Sequence, residues 1–298
     1  MSSGLIPWIP RGLRDGIVTS RYPQIQEKYG SDFRATLSVE GDHYDQAMAE
    51  SVVKACPTQA VSNEGGNLRL DRGRCILCGR CKELYPEVFQ FSSDFETATI
   101  QRSQLVVPQL EETTEALAQT RNELALRVKA LGHSVHIRHI DMGSDGADEW
   151  EIAALSNPIY DVQRLGIYFT ASPRHADLLL ISGVGTIGMV PSLQKTLDSM
   201  ASPKVVLASG VDAISGGLIG RGYSSNGGIS QIVNVDVFIP GSPPTPFGLL
   251  YGILLATARI PTDHRRRSQG TNGLAKAGYR PITPLARTKY KSPTKEER

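Results

Sequence analysis

The four cysteines of this chain, Cys56, Cys75, Cys78 and Cys81, all fall within one short stretch, and eighteen residues separate the first from the other three. The later three stand at successive three-residue steps, Cys75-Ile-Leu-Cys78-Gly-Arg-Cys81, and the first is followed by Pro57. Thiolates are soft ligands that select zinc or iron–sulfur clusters. Zinc favours separated Cys-x-x-Cys or His pairs, whereas three evenly stepped cysteines wrap a loop around the corner of a cubane. Disulfides fit less well. The chain is poor in cysteine and starts without a charged-then-apolar leader, from which a reducing cytoplasm is expected.

This stretch resembles the two-cluster bacterial ferredoxins, in which a Cys-Pro from one motif ligates the cluster held by the three cysteines of the other. Counting back from Cys56 puts Val52, Ala49 and Gln46 where the first motif has its other cysteines. Tyr85, before Pro86, stands where the second motif has its own Cys-Pro. The resemblance implies that one cluster has been lost and that Cys56, Cys75, Cys78 and Cys81 remain as the ligand set of a single 4Fe–4S cluster. The segment Gly12 to Pro23 is similar to the lead-in of the eight-iron ferredoxin subunit of complex I and of membrane-bound hydrogenases.

The elements that must hold these residues follow from length and pattern. A chain of 298 residues with 40% apolar and 21% charged residues can build about two globular cores. No apolar run reaches the ~18–20 residues of a membrane span; the longest, Phe247 to Ala256, is about half that. A net charge of +2 gives no argument for nucleic acid. Residues 1–40, with Pro7, Pro10 and Pro23, read as an extended N-terminal arm. Residues 41–105 form the ferredoxin-like domain, with strands at Leu68–Leu70 and Thr97–Ile100. Residues 106–132 are a connecting segment in which Leu110, Leu117, Leu124, Leu126, Val128 and Leu131 predict one helix ended by Gly132. Residues 262–298 are a basic C-terminal tail, poor in core residues and read as disordered or wrapped on a partner.

Between them, 133–261 alternates apolar runs with helical or irregular segments. The runs Ser134–Ile140, Asp177–Ile181, Lys204–Ala208 and Asn234–Ile239 predict a parallel sheet in an α/β layer fold. Function in such a sheet gathers beyond the carboxyl ends of the strands, which here are the loops Asp141–Glu151, Ser182–Met189, Ser209–Gly217 and Gly241–Pro246. The expected fold class is therefore mixed α/β and α+β: an N-terminal ferredoxin-like domain, a connecting helix and a C-terminal flavodoxin-like parallel domain.

Those loops resemble the small subunit of nickel–iron hydrogenases and its relative in complex I, the B subunit. The resemblance rests on Glu149 and Glu151 after Gly143-Ser144, Asn157-Pro158, Ser172 to Asp177, Ser215-Gly216-Gly217, Gly227-Gly228, Val235 to Val237 and Pro240 to Pro246, and covers roughly residues 133–260. With the ferredoxin half, it implies a fusion of two neighbouring subunits, most like the energy-converting hydrogenases and their relatives. Where that family has its four proximal-cluster cysteines, this chain has Asp145, Asp148, Asp212 and Ser242. Hard oxygen ligands hold iron–sulfur clusters poorly, so the proximal cluster is expected to be absent. Three carboxylates in its place are either solvated, paired with Arg, or a site for a hard cation.

Gly183-Val-Gly185-Thr-Ile-Gly188, with Asp212 downstream, matches a dinucleotide fingerprint and gives an alternative NAD-binding oxidoreductase reading. His175 reads as a packing and hydrogen-bonding residue at the start of its strand, and no Ser–His–Asp arrangement is legible. The resemblance implies a peripheral iron–sulfur and scaffold subunit on the cytoplasmic side of the inner membrane. Its expected partners are a hydrogenase-like or complex-I-like large subunit and membrane subunits, with no catalytic residue of its own. The alternative is a redox subunit exchanging electrons with another iron–sulfur protein. Apolar loops such as Val237–Leu250 are expected to be exposed when partners are absent.

Overall fold

The computed structural model describes residues 12–13, 16–27, 29–40, 45–64, 66–108, 114–131 and 134–260. The basic tail, Leu110, Gly132 and most of the first fifteen residues lie outside them.

The N-terminal half is built from short antiparallel pairs. Strand β1 (Thr36–Val39) pairs with β4 (Phe89–Ser92), while β3 (Asn67–Asp71) pairs on one side with β2 (Val61–Glu64) and on the other with β5 (Val106–Val107). Helix α1 (Gln46–Ala55) starts at Asp45, whose carboxylate caps the Met48 N–H at 2.7 Å, and buries Ala49 and Val52. These are two of the positions where a first motif would carry cysteine, now committed to the local core with Leu37, Leu68, Leu70 and Phe89. The five-residue helix α2 (Arg80–Leu84) follows the cysteine loop. The expected strand Thr97–Ile100 does not form. Thr99 instead makes one antiparallel bridge to Phe238 of the other half, with N–H to O distances of 2.9 and 2.8 Å in the two directions.

The connecting helix α3 spans Thr114–Val128 and tightens into a 3₁₀ turn through Leu131. Leu124 and Val128, four residues apart, share its buried side, whereas Leu126 is exposed. Arg127 pairs with Asp236, and Asp236 also accepts the Val206 N–H.

The C-terminal half is a five-stranded sheet in the order β10-β9-β8-β6-β7, every neighbour parallel. The strands are β6 (Val135–Asp141), β7 (Ile167–Phe169), β8 (Leu178–Ser182), β9 (Val205–Ser209) and β10 (Val237–Ile239). Numbered within the domain this is 2-1-3-4-5, the flavodoxin-like order, whose switch point lies between the first and third strands, here β6 and β8. Four of the strands match the predicted runs. Strand β7 is the addition: at three residues on the sheet edge, with Tyr168 and Phe169 exposed, it carries little hydrophobic signal. The helices are α4 (Ala147–Ala154), α5 (Val190–Ser199), α6 (Gly210–Ser215) and α7 (Pro246–Ala256).

Helix α7 corrects the expectation of exposed apolar loops. Every residue from Pro246 to Ala256 is buried, and so is β10, so most of Val237–Leu250 is core rather than docking surface. Thr245 caps α7 by accepting the Gly248 N–H at 3.1 Å. The two halves share this core. Tyr22 and Phe95 pack with Phe247 at ring separations of 5.1 to 5.6 Å, and Ala98, Ile100 and Leu124 join the same cluster as β6, β8, β9, β10 and α7.

Candidate functional site

The cysteine loop is organised by Asp71, at the end of β3. Its carboxylate forms a bidentate pair with Arg102 at 2.8 and 2.6 Å and also accepts the Gly73 N–H at 2.9 Å. Its carbonyl receives the N–H groups of Arg74 and Cys75. Leu77 (φ 55°) and Gly79 (φ 84°) then take left-handed conformations that curl the chain around before α2 begins. Cys56 reaches the same place from the end of α1, its sulfur accepting the Ala60 N–H at 3.2 Å.

Cys56, Cys75 and Cys81 pack against the same apolar cluster, and Cys78 lies within electrostatic reach of Cys75 and Cys81. Burial, then a neighbourhood containing Cys81, Cys56 and Cys78, pushes the Cys75 thiol up to about 12, against a hydrogen bond from the Leu77 amide. Cys81 is pushed up to about 11 by burial, with Cys78 and Cys56 adding to it and the Lys82 amide opposing. Buried thiols crowded this way ionise only beside positive charge, and backbone amides already point at the sulfur atoms. That donor set fits an iron–sulfur cluster: soft, gathered from two segments and furnished with N–H groups. Cys78 is exposed and the other three are half-buried. Among the described residues, no three His, Cys, Asp or Glu side chains meet closely enough to hold a single metal ion.

The crevice beside Cys75 is lined by Leu37, Arg72 and Leu77 from the ferredoxin-like half and by Pro240 and Gly241 from the α/β half. The carbonyl of Gly241 in turn accepts the Val211 N–H of α6 at 2.9 Å, so the cysteine loop lies next to the fourth loop of the sheet.

At the sheet's carboxyl edge the loops are laced together through backbone. Met142 donates to Ser182, Thr186 to Met142, Gly228 to Val184 and Ile187 to Ser224, all at 2.8–3.0 Å. Two of the three glycines of the dinucleotide-like fingerprint serve this lacing, Gly188 having open space around it. A Cβ on Gly183 would collide with the Gly143 backbone and one on Gly185 with the Gly228 carbonyl, so close loop packing accounts for both. His175 is exposed on its 3₁₀ turn, with its backbone N–H bonded to Ser172, which corrects the packing role expected for it.

The four positions of the resembling cluster are only partly gathered. Asp148, on α4, is buried at 7% exposure against Gly210, where any side chain would overlap its carboxylate. Burial first, then the charges of Asp212, Glu149, Asp145 and Asp141, push it up to about 8. Asp212, on α6, is raised for the same reasons, burial before Asp145 and Glu149. Asp145 is exposed and caps its own turn through the Ala147 N–H. Ser242 is exposed on the fourth loop.

A polar chain lies beside them at the switch point. Glu149 accepts hydrogen bonds from the hydroxyls of Ser182 and Ser144, and the His139 ring contacts the Ser182 hydroxyl at 2.9 Å. Burial alone would raise Glu149, but these bonds hold it below the usual carboxylate range. Burial lowers His139 despite the opposing pull of Glu149 and Asp141. This Ser–His–Glu arrangement was not legible in the sequence. Its one trace is a hydroxyl, Ser182, ending an otherwise apolar strand.

Comparison with known proteins agrees with both halves. Residues 146–256 match the family described as NADH ubiquinone oxidoreductase, 20 Kd subunit, and residues 68–121 match the 4Fe-4S single cluster domain. The chain is 35% identical over 156 residues to formate hydrogenlyase subunit 7 of Escherichia coli, covering 52% of this chain and 60% of that protein's length. It is 34% identical over 137 residues to the probable membrane-bound hydrogenase subunit mbhJ of Pyrococcus furiosus, covering 46% of this chain and 82% of that protein. A solved structure of the membrane-bound sulfane sulfur reductase, an archaeal respiratory membrane complex, matches 52% of this chain and 88% of its own at 28% identity and a TM-score of 0.39. With 82% of a hydrogenase-subunit relative covered and the α/β half matched to the same family, the chain belongs to the family of the complex I 20 Kd subunit and the hydrogenase small subunit, joined here to a 4Fe–4S ferredoxin domain.

Proposed function

We propose that this chain is a peripheral iron–sulfur and scaffold subunit of a membrane-bound, hydrogenase-like or complex-I-like respiratory assembly, holding one 4Fe–4S cluster and lacking the proximal one. The observation that carries this reading is the contrast in donors. Four cysteines, Cys56, Cys75, Cys78 and Cys81, stand in the ferredoxin-like half, three of them packed against one apolar cluster, whereas the resemblance puts Asp145, Asp148, Asp212 and Ser242 where the family has its proximal-cluster cysteines. When bound, such a cluster supplies one-electron transfer. The chain's own residues do the holding: Asp71 and Arg102 fix the loop entry, and the amides of Ala60, Leu77 and Lys82 stabilise sulfur charge.

The partner-facing surface is at the sheet's carboxyl edge. Trp150, Leu218, Ile219, Tyr223 and Ile187 are large apolar side chains exposed there, Tyr223 fully, and Ile187 is tied by backbone to Ser224 beside Tyr223. Exposed aromatics around a polar centre suit a large hydrogenase-like or complex-I-like subunit. Among the described residues no helix is long and apolar enough to cross a membrane; in this proposal the chain meets membrane subunits through protein surfaces on the cytoplasmic side. Exposure of Cys78 favours the second reading, in which the cluster exchanges electrons with another iron–sulfur protein.

Anaerobic isolation tests both. About four irons and about four sulfides per chain, a single reducible cluster by EPR and a co-purifying large subunit are expected. About eight irons, or stoichiometric zinc, would defeat the ligand count. Reduction of the cluster by an external iron–sulfur donor would decide for electron transfer over a purely structural role.

A further inference from the structure

In a family whose loops here carry soft ligands, this chain buries a carboxylate. Asp148 Oδ2 is inaccessible and has no hydrogen-bond partner, on a residue only 7% exposed. One residue before Gly210, against which that carboxylate rests, the Ser209 hydroxyl is also fully buried and unpartnered. A carboxylate anion in such a place lacks both solvent and a counter-charge. The groups around it are negative on each element that carries charge: Asp141 at the end of β6, Asp145 before α4, Glu149 on α4 and Asp212 on α6. The remaining neighbours offer no relief. Strands β8 and β9 and helix α7, which packs on α4, contain no titratable side chain facing it as a cation, and His139 is occupied with Ser182 and Glu149.

A hard cation needs several oxygens converging on one point, and the described carboxylates do not converge in that way. Neutralisation by a proton needs only one oxygen. We infer that the family's emptied cluster position is a proton-binding site in this chain, in which Asp148, backed by Asp212, is held as the carboxylic acid at neutral pH. The reaction is a plain acid–base exchange: one proton passes between water or buffer and Asp148 Oδ2, with no electron moved. Exposed Asp145 stands at the solvent side of the site. Glu149, fixed by two serine hydroxyls, remains the anion, so adjacent residues of one helix have opposite protonation states. The inference uses only the α/β half and is independent of the cluster count.

Difference infrared spectroscopy on the full-length, cluster-containing chain tests it, across about pH 6 to about pH 10. The expected result is a protonated-carboxyl C=O band at neutral pH that is lost with a midpoint near 8, shifts in deuterium oxide and is missing from Asp148→Asn. Asp212→Asn should keep the band and lower its midpoint, because a neighbouring negative charge has been removed; this variant decides the matter if Asp148→Asn does not fold. No such band at neutral pH, or a midpoint indifferent to Asp212→Asn, would overturn the assignment. A midpoint that falls as magnesium or calcium chloride is added at constant ionic strength would also overturn it, since the site would then be a cation site.

Discussion

In the ferredoxin-like half the chain carries four cysteines, and amide N–H groups point at Cys56, Cys75 and Cys81; the loops of the α/β half carry Asp145, Asp148, Asp212 and Ser242, and amides there bond to carbonyls and to the carboxylates of Asp141 and Asp145. The difference lies in what maintains each loop. Around Cys75 and Cys81, backbone amides are committed to the sulfur atoms themselves, so in the proposed reading loop shape and cluster depend on one another. At the sheet edge, Met142, Ser182, Thr186, Val184 and Gly228 hold the loops by exchanging backbone bonds. A site held this way can change its ligands and keep its form.

The severest test of that contrast is Cys56→Ser. It should remove the cluster as completely as Cys78→Ser, read as loss of nearly all of about four irons per chain; an intact cluster without Cys56 would mean that the crossover ligand is wrong. Exchanging ligands in the α/β half should be harmless by comparison, and circular dichroism of Asp212→Asn should show an unchanged fold.

Next in size is Asp71→Ala. It strips a bidentate partner from Arg102 and a turn bond from Gly73, at an expected cost of about 2–4 kcal/mol, with reduced iron content. Denaturant titration alongside iron analysis checks both. Retained iron in a destabilised chain would show that the loop's shape comes from the cluster alone.

Asp148→Asn should act in the other direction. A carboxyl raised in the folded state favours folding fully below its unfolded value of about 3.9 and loses that contribution as pH rises toward about 8. The variant should therefore match the parent near about pH 4 and be the more stable by about 1–3 kcal/mol above about pH 8. Melting temperatures across that range measure it; parallel curves would remove the charge burden from Asp148. The smallest effect belongs to Thr245→Ala, which deletes the cap of α7 and should cost about 1 kcal/mol, with iron content unchanged.

Cysteine spacing and β-strand runs carried most of the design into plain view. Four parallel strands were legible because three are short apolar blocks and β6 alternates apolar with polar residues, all stopping at glycine or proline turns, and the 4Fe–4S domain because cysteine spacing is chemically restrictive. What stayed hidden depends on tertiary context. Thr97–Ile100 has the composition of a strand, yet only Thr99 finds a partner, across the domain boundary. Val237–Leu250 was expected to be exposed, and packing placed it at the centre. The same limit applies to Asp148 and Glu149: adjacent and chemically alike, they differ only in what folding brings around them, an orphaned pocket for one and two hydroxyls for the other.

The aromatic contact of Tyr22 and Phe95 with Phe247 has a bearing on inheritance. Residues from both halves complete one apolar cluster, and Gly73, just ahead of the cysteine loop, sits so close to Ile214 of α6 that an added methyl would strike it. Two polypeptides could separate and exchange; halves that share one core within a single chain are expected to unfold together and to stay at a fixed one-to-one ratio. Expressing residues 133–298 without the first half would uncover Phe247, so a gene split at the connecting helix should yield insoluble fragments rather than two interchangeable subunits.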